Sequence, residues 1–205
     1  ISPFADPEYS STEYYYTDAI SDHAVRFIKE HKTAEPFFMY VAFTAAHWPM
    51  HAKEQDIKKY RGRYAEGYTA VREARYAKML TQGVITQANT TLWPFPENLG
   101  EHGEYWPWDE RNMEVYAAMI DRMDQGIGKI IRKLEENQEL DNTLIFYLQD
   151  NGACAEDLGW INNRLEFKGN QPPMDPKELQ TKMIPDITRD GVPVKIKSPI
   201  FNVKY

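Results

Sequence analysis

Three things are scarce in this sequence, and each scarcity removes a class of protein. There is one cysteine, Cys154, in 205 residues. Neither a disulfide framework nor a cysteine zinc site can be built within one chain from it. No stretch approaches the 18 apolar residues needed to span a bilayer, so no membrane span is expected. Positive charge is also short: 24 Lys and Arg against 31 Asp and Glu give a formal net charge of −7, with no basic block. Nucleic acid is therefore excluded as an expected partner, because a binder that tracks phosphates concentrates cations on one surface. The N-terminus lacks an initiator Met and the basic-then-apolar pattern of a signal peptide. The expectation is an internal portion of a longer protein.

What is present suits a folded core. Hydrophobic residues make up 42% and aromatics 13%, enough for one domain with long loops. Thr17 and Asp18 read as an N-cap and a first-turn acid. After them Ile20, Ala24, Phe27 and Ile28 recur at helical spacing to about His31. Following Glu35-Pro36, the run FFMYVAF (37–43) has the length and composition of a strand buried on both faces. It opens into a loop carrying His47, Pro49 and His51. Residues 53–83 are predicted partly helical with Gly83 as a stop, and 86–109, with three Trp and three Pro, as loop. The longest helix pattern runs through Met113, Tyr116, Ile120, Met123, Ile127, Ile130 and Leu134 to about Asn137. Gly126 and Gly128 inside it predict close packing. Asp141-Asn142 then turns the chain into a second strand, TLIFYLQ. Two strand–loop units separated by helices predict an α/β fold. No internal domain boundary is read in 1–205, and residues 160–205 are loop-rich.

Both predicted strands end in polar groups, where open α/β sheets collect their ligands. The second ends in Asp150-Asn151-Gly152. A carboxylate beside a carboxamide oxygen suits a hard cation, and a nearby imidazole such as His47 could bind or protonate an anion held on it. The plainer readings stand beside these. Asp-Asn-Gly is a common turn sequence, and a histidine in a loop is often a surface residue. His51 reads as structural and Cys154 as a small loop residue, with no neighbour that would activate a thiolate.

Longer segments carry a resemblance. PFFMYVAFTAAHWPMHA resembles the strand and A-P-H-W-P-L motif of the arylsulfatases, with Ala46 where that family usually has Pro. KKYRGRY (58–64) resembles the segment that follows it in bacterial arylsulfatases. MEVYAAMIDRMDQGIGKIIRKLEENQELDNTLIFYLQDNGA resembles their long helix, turn and metal-binding strand. The likeness covers about residues 12–160, with a weaker one at TRDGVPV. It implies part of an alkaline-phosphatase-like mixed sheet flanked by helices. It implies that Asp150 and Asn151 are ligands of a divalent cation, usually Ca²⁺, and that His47 contacts the sulfate ester or its leaving group. A sulfated small molecule or glycan is the implied substrate, and a periplasmic or secreted location the implied setting.

The departures are equally specific. The family's nucleophile is a formylglycine made from Cys or Ser in C/S-x-P/A-x-R, whereas Cys154 is followed by Ala-Glu-Asp-Leu. The paired N-terminal aspartates of the metal site, the K-x-H pair and the late Lys are absent, and Lys168 is a poor substitute. The formylglycine is expected in a preceding segment, leaving this chain inactive alone. Two alternatives remain: a phosphonate or phosphodiester hydrolase of the same superfamily, or a non-catalytic module binding anions or glycans through the Trp-rich loop.

Overall fold

The computed structural model describes residues 14–32, 35–47, 50–94, 106–151 and Pro172, with side chains in the fourth stretch from Glu110 onward. The expectations for Trp48-Pro49, Gly152, Cys154, Lys168 and the TRDG turn lie outside these residues.

Among the described residues four α-helices appear in chain order: α1 (Tyr16–Glu30), the single turn α2 (Glu54–Ile57), α3 (Gly67–Thr81) and α4 (Trp106–Glu136). Helix α1 buries Thr17, Ala19, Ile20, Ser21, Ala24 and Ile28, a stripe spaced by three and four residues. It starts earlier than Thr17 as a cap would require. Tyr15 holds the N-cap position without a side-chain cap bond, and Thr17 lies inside the helix, its carbonyl accepting from Ser21 Oγ at 2.9 Å.

Helix α4 has 31 residues, about 46 Å of rise. It begins at Trp106, so the end of the expected 86–109 loop is helical. Pro107 permits this, because a proline in the first turn has no intrahelical N–H bond to lose. The two long helices lie side by side and run in the same direction. Arg122 meets Asp18, Lys129 meets Asp22, and Asn137 donates to the carbonyl of Ile28. Small residues set the closeness of this crossing. A Cβ placed at Gly126 would fall on Ser21 Oγ and lie 3.0 Å from Ser21 Cβ. The close packing expected at Gly128 is not found, since a Cβ there meets only the flexible Arg132 side chain.

The buried face of α4 is rotated from the apolar stripe read in the sequence. Glu114, Ala118, Met119, Met123 and Leu134 are buried, whereas Tyr116 is exposed. The rotation has a physical cause: small and charged residues face α1 and α2, where backbones approach and ion pairs form. The bulky Ile120, Ile127 and Ile130 remain half-buried.

Helices α3 and α4 end in the same way. Gly83 N–H bonds to Leu80 O and Val84 N–H to Met79 O; Gln138 N–H bonds to Glu135 O and Glu139 N–H to Leu134 O. Both are Schellman ends with the turning residue in the left-handed region, φ +70° at Gly83 and +60° at Gln138. The expected stop at Gly83 is observed.

Among the described residues there is no strand. Residues 37–43 and 143–149 are extended, as their composition predicts, but no backbone ladder joins them to a described neighbour. A strand exists only with a hydrogen-bonding partner, and composition specifies the extended backbone without supplying that partner. The expected burial on both faces is also not met. In 37–43 the odd positions Met39, Val41 and Phe43 are half-covered, while Phe38 and Tyr40 are 93% and 83% exposed.

Candidate active site

Each extended segment delivers its terminal residues by a different route. The first leaves α1 through His31, whose ring packs edge-on against Phe37 with centroids 5.1 Å apart. At the far end of the segment the Phe43 ring reaches within 3.8 Å of the Cβ position of Gly126 on α4. The chain turns at once: His47 N–H donates to Thr44 O at 2.8 Å, around a cis Ala45–Ala46 peptide. His47 is exposed at the end of this turn.

The return limb of that loop is fastened to α1 and α4. Tyr15 Oη donates to His51 O at 2.7 Å. Two residues on, Lys53 Nζ donates to Asp18 Oδ2 at 2.5 Å and lies 5.5 Å above the Tyr15 ring. Arg122 donates to both carboxylate oxygens of Asp18, from Nε at 2.5 Å and from a terminal nitrogen at 2.8 Å. The network extends to Asp56, which is 1% exposed. Its Oδ1 pairs with Lys59 at 2.9 Å, and Lys59 also reaches Asp121 at 2.9 Å. Asp56 Oδ2 lies 3.9 Å from Arg122 without a hydrogen bond.

These contacts set the charge states. Burial alone would raise the Asp18 carboxyl, but hydrogen bonds from Arg122 and Lys53 outweigh it and hold the pKa below the ordinary carboxylate value. The hydrogen bond to Asp18 raises Arg122 in turn. Tyr15 is raised chiefly by its burial and keeps its proton to donate.

The KKYRGRY segment is fixed to α4 by a second set of bonds. Gly62 N–H donates to Glu114 Oε1 at 2.7 Å, and Arg111 bridges Glu114 at 3.0 Å and Glu54 at 3.4 Å.

The second segment is far more open to solvent. A 3₁₀ turn at Leu140–Asn142 leads out of α4, and Thr143 Oγ1 donates back to Glu139 O at 2.7 Å. From Leu144 to Leu148 every side chain is exposed. Asp150 and Asn151 stand at the end of this segment, both exposed. As donors they fit a hard cation, one carboxyl group beside one amide oxygen. They supply two ligand side chains only. Among the described residues no group of three or more His, Cys, Asp or Glu could hold a metal.

Thus His47, Asp150 and Asn151 each lie just beyond the C-terminal end of an extended segment, as the sequence predicts. The network of Tyr15, Asp18, Lys53 and Arg122 beside the His47 loop is not read from the sequence as part of a site, Asp18 being read only as a first-turn acid. Its one signal is a charged residue, Arg122, beside Met123 on a face otherwise destined for burial.

Residues 1–183 match the sulfatase family. The chain is a sulfatase-family protein. An uncharacterized sulfatase of Schizosaccharomyces pombe is 34% identical over 155 residues, which cover 70% of this chain and 27% of the relative. An arylsulfatase of Klebsiella aerogenes is 34% identical over 159 residues, 76% of this chain and 34% of the relative. A human N-acetylglucosamine-6-sulfatase is 27% identical over 143 residues, 67% of this chain and 23% of the relative. This sulfatase chain therefore spans about a quarter to a third of the length of the curated relatives it matches. The family implies an alkaline-phosphatase-like α/β fold, of which the described residues form helices and two extended segments. No helix among them is long and apolar enough to cross a membrane.

Proposed function

We propose that residues 1–205 are the central portion of the catalytic domain of a sulfuric-ester hydrolase of arylsulfatase type. One observation carries the reading: in a chain that matches the sulfatase family, two extended segments end in the residue types that sulfate-ester hydrolysis needs. Asp150 and Asn151 are the protein's contribution to a divalent-cation site, their carboxylate and carbonyl oxygens suiting a hard cation, with Ca²⁺ the ion the family resemblance implies. When bound, such a cation neutralises charge on the sulfate oxygens and fixes the ester's orientation. His47, exposed at the end of its turn, contacts the sulfate or the leaving oxygen and can donate a proton to it. The extended segments belong to an alkaline-phosphatase-like mixed sheet. Their exposed apolar side chains support that placement.

The nucleophile lies elsewhere in the protein. No C/S-x-P/A-x-R motif occurs in the 205 residues, so a formylglycine is assigned to a segment outside them. The substrate is a sulfated small molecule or glycan. The arylsulfatase and N-acetylglucosamine-6-sulfatase relatives support both kinds.

Two measurements test this reading. Full-length enzyme is assayed on a matched aryl sulfate and aryl phosphodiester, and higher kcat/KM on the sulfate is expected. Preference for the phosphodiester would place the protein in the neighbouring hydrolase class. The purified 205-residue chain should show no turnover of the sulfate above buffer, and measurable turnover would remove the need for an external nucleophile.

A further inference from the structure

We propose that Lys53, held on Asp18, and Tyr15, bonded to the His51 carbonyl beside it, are positioning residues that hold His47 in its working place. This inference rests on the role given to His47 above. The chain is packed on the helix pair at Phe43 and bonded back to it at His51 and Lys53. The outgoing end is set by packing, with Phe43 over the Gly126–Ser21 crossing. The returning end is set by polar bonds: Tyr15 Oη to the His51 carbonyl at 2.7 Å and Lys53 Nζ to Asp18 at 2.5 Å.

Asp18 is built to take that load. Arg122 grips both its oxygens in a planar fork, from 104 residues away in the sequence. The Asp18 side chain is 13% exposed, so water competes weakly for it. The carboxylate is therefore fixed on α1 by α4, and its remaining capacity points to Lys53.

The helix pair does not depend on Lys53. It packs through Ser21 and Gly126 and is tied again by Lys129 to Asp22 and by Asn137 to Ile28 O. Loss of the Lys53 charge should leave these contacts in place and release only the loop. A loop that has lost one of its two return anchors samples more conformations, and a displaced imidazole lowers the rate of the chemical step more than it weakens substrate binding.

The test is a double-mutant cycle in the full-length enzyme with para-nitrophenyl sulfate. Lys53→Met, which keeps the aliphatic stem, and Tyr15→Phe, which removes only the hydroxyl, should each lower kcat about tenfold with KM within about twofold. Lys53→Arg should restore most of the loss. In a His47→Ala background, Lys53→Met should cause little further loss, because it acts through the imidazole already removed. Full additivity, or wild-type kcat in both single variants, overturns the inference while His47→Ala still impairs the enzyme. Wild-type activity of His47→Ala overturns the His47 assignment itself and this inference with it. If Lys53→Met does not fold, Tyr15→Phe carries the same cycle, read by the same outcomes.

Discussion

The two extended segments have similar composition and similar places in the chain, yet their surroundings differ. Residues 37–43 have one half-covered face that ends in Phe43 beside Gly126, and the chain beyond is tied back by Tyr15, Lys53 and Asp18. Residues 144–148 are exposed throughout and lead to an exposed Asp150 and Asn151. The contrast shows where order comes from. Contacts within the described residues organise the segment that ends at His47, whereas the segment that ends at Asp150 and Asn151 presents its side chains to solvent.

The sharpest break in that comparison should come at His47. His47→Ala in the full-length enzyme should lower kcat/KM for a sulfate ester by about 10²-fold or more, about 2.7 kcal/mol, as for a positioned acid or charged donor. Metal content and Tm should stay near wild type. His51→Ala should cost much less, since the structure engages its backbone carbonyl through Tyr15. A greater loss at His51 would transfer the role to that imidazole.

Next in size is the helix crossing beneath the ordered segment. Gly126→Ala puts a methyl group on Ser21 Oγ and should destabilise the enzyme by about 1–3 kcal/mol. Gly128→Ala meets only the end of Arg132 and should be near neutral or slightly stabilising. Thermal melts of the two variants compare them directly, and equal losses would remove the crossing as the source of order.

On the other segment the expected contrast is in metal affinity. Asp150→Ala should weaken Ca²⁺ binding about tenfold more than Asn151→Ala, because only Asp150 carries a formal charge. Calorimetric titration of the full-length protein measures this ranking, and the reverse order would assign the dominant ligand to the amide.

The smallest effect is in acid. Asp18 has a folded pKa below its unfolded value, so its contribution to stability is full above the ordinary carboxyl range of about 3.9. That contribution is lost as pH falls through the depressed folded value. Asp18→Asn should therefore be less stable than wild type near neutrality and converge with it in acid. A constant difference in Tm across that range would show that the carboxylate's charge plays no part.

Some of this architecture is legible in the sequence, and the rest is dark for identifiable reasons. Helices α1 and α4 and the stop at Gly83 can be read, because periodicity and left-handed turn residues act over a few positions. His47, Asp150 and Asn151 can be proposed as site residues because motifs travel with their extended segments. The clasp cannot, since Asp18 and Arg122 are 104 residues apart and no local pattern pairs them. The start of α4 is hidden because Trp106-Pro107-Trp108 looks like loop composition, although proline is at home in a first turn. The stripe on α4 is displaced for a related reason: hydrophobic periodicity finds bulky side chains, while Gly126 and Ser21 meet where there is no room for a Cβ.

The exposed rows at Phe38 and Tyr40 and from Leu144 to Leu148 also bear on how the 205-residue chain behaves in solution. Each combines extended backbone, β-favouring apolar side chains and low charge over a few residues, the combination that templates intermolecular β pairing. Made alone, the chain should associate as its concentration rises, through these segments rather than through the helices. A lysine in place of Tyr40 or Phe146, on side chains 83% and 74% exposed, should keep it dispersed without touching the α1–α4 crossing.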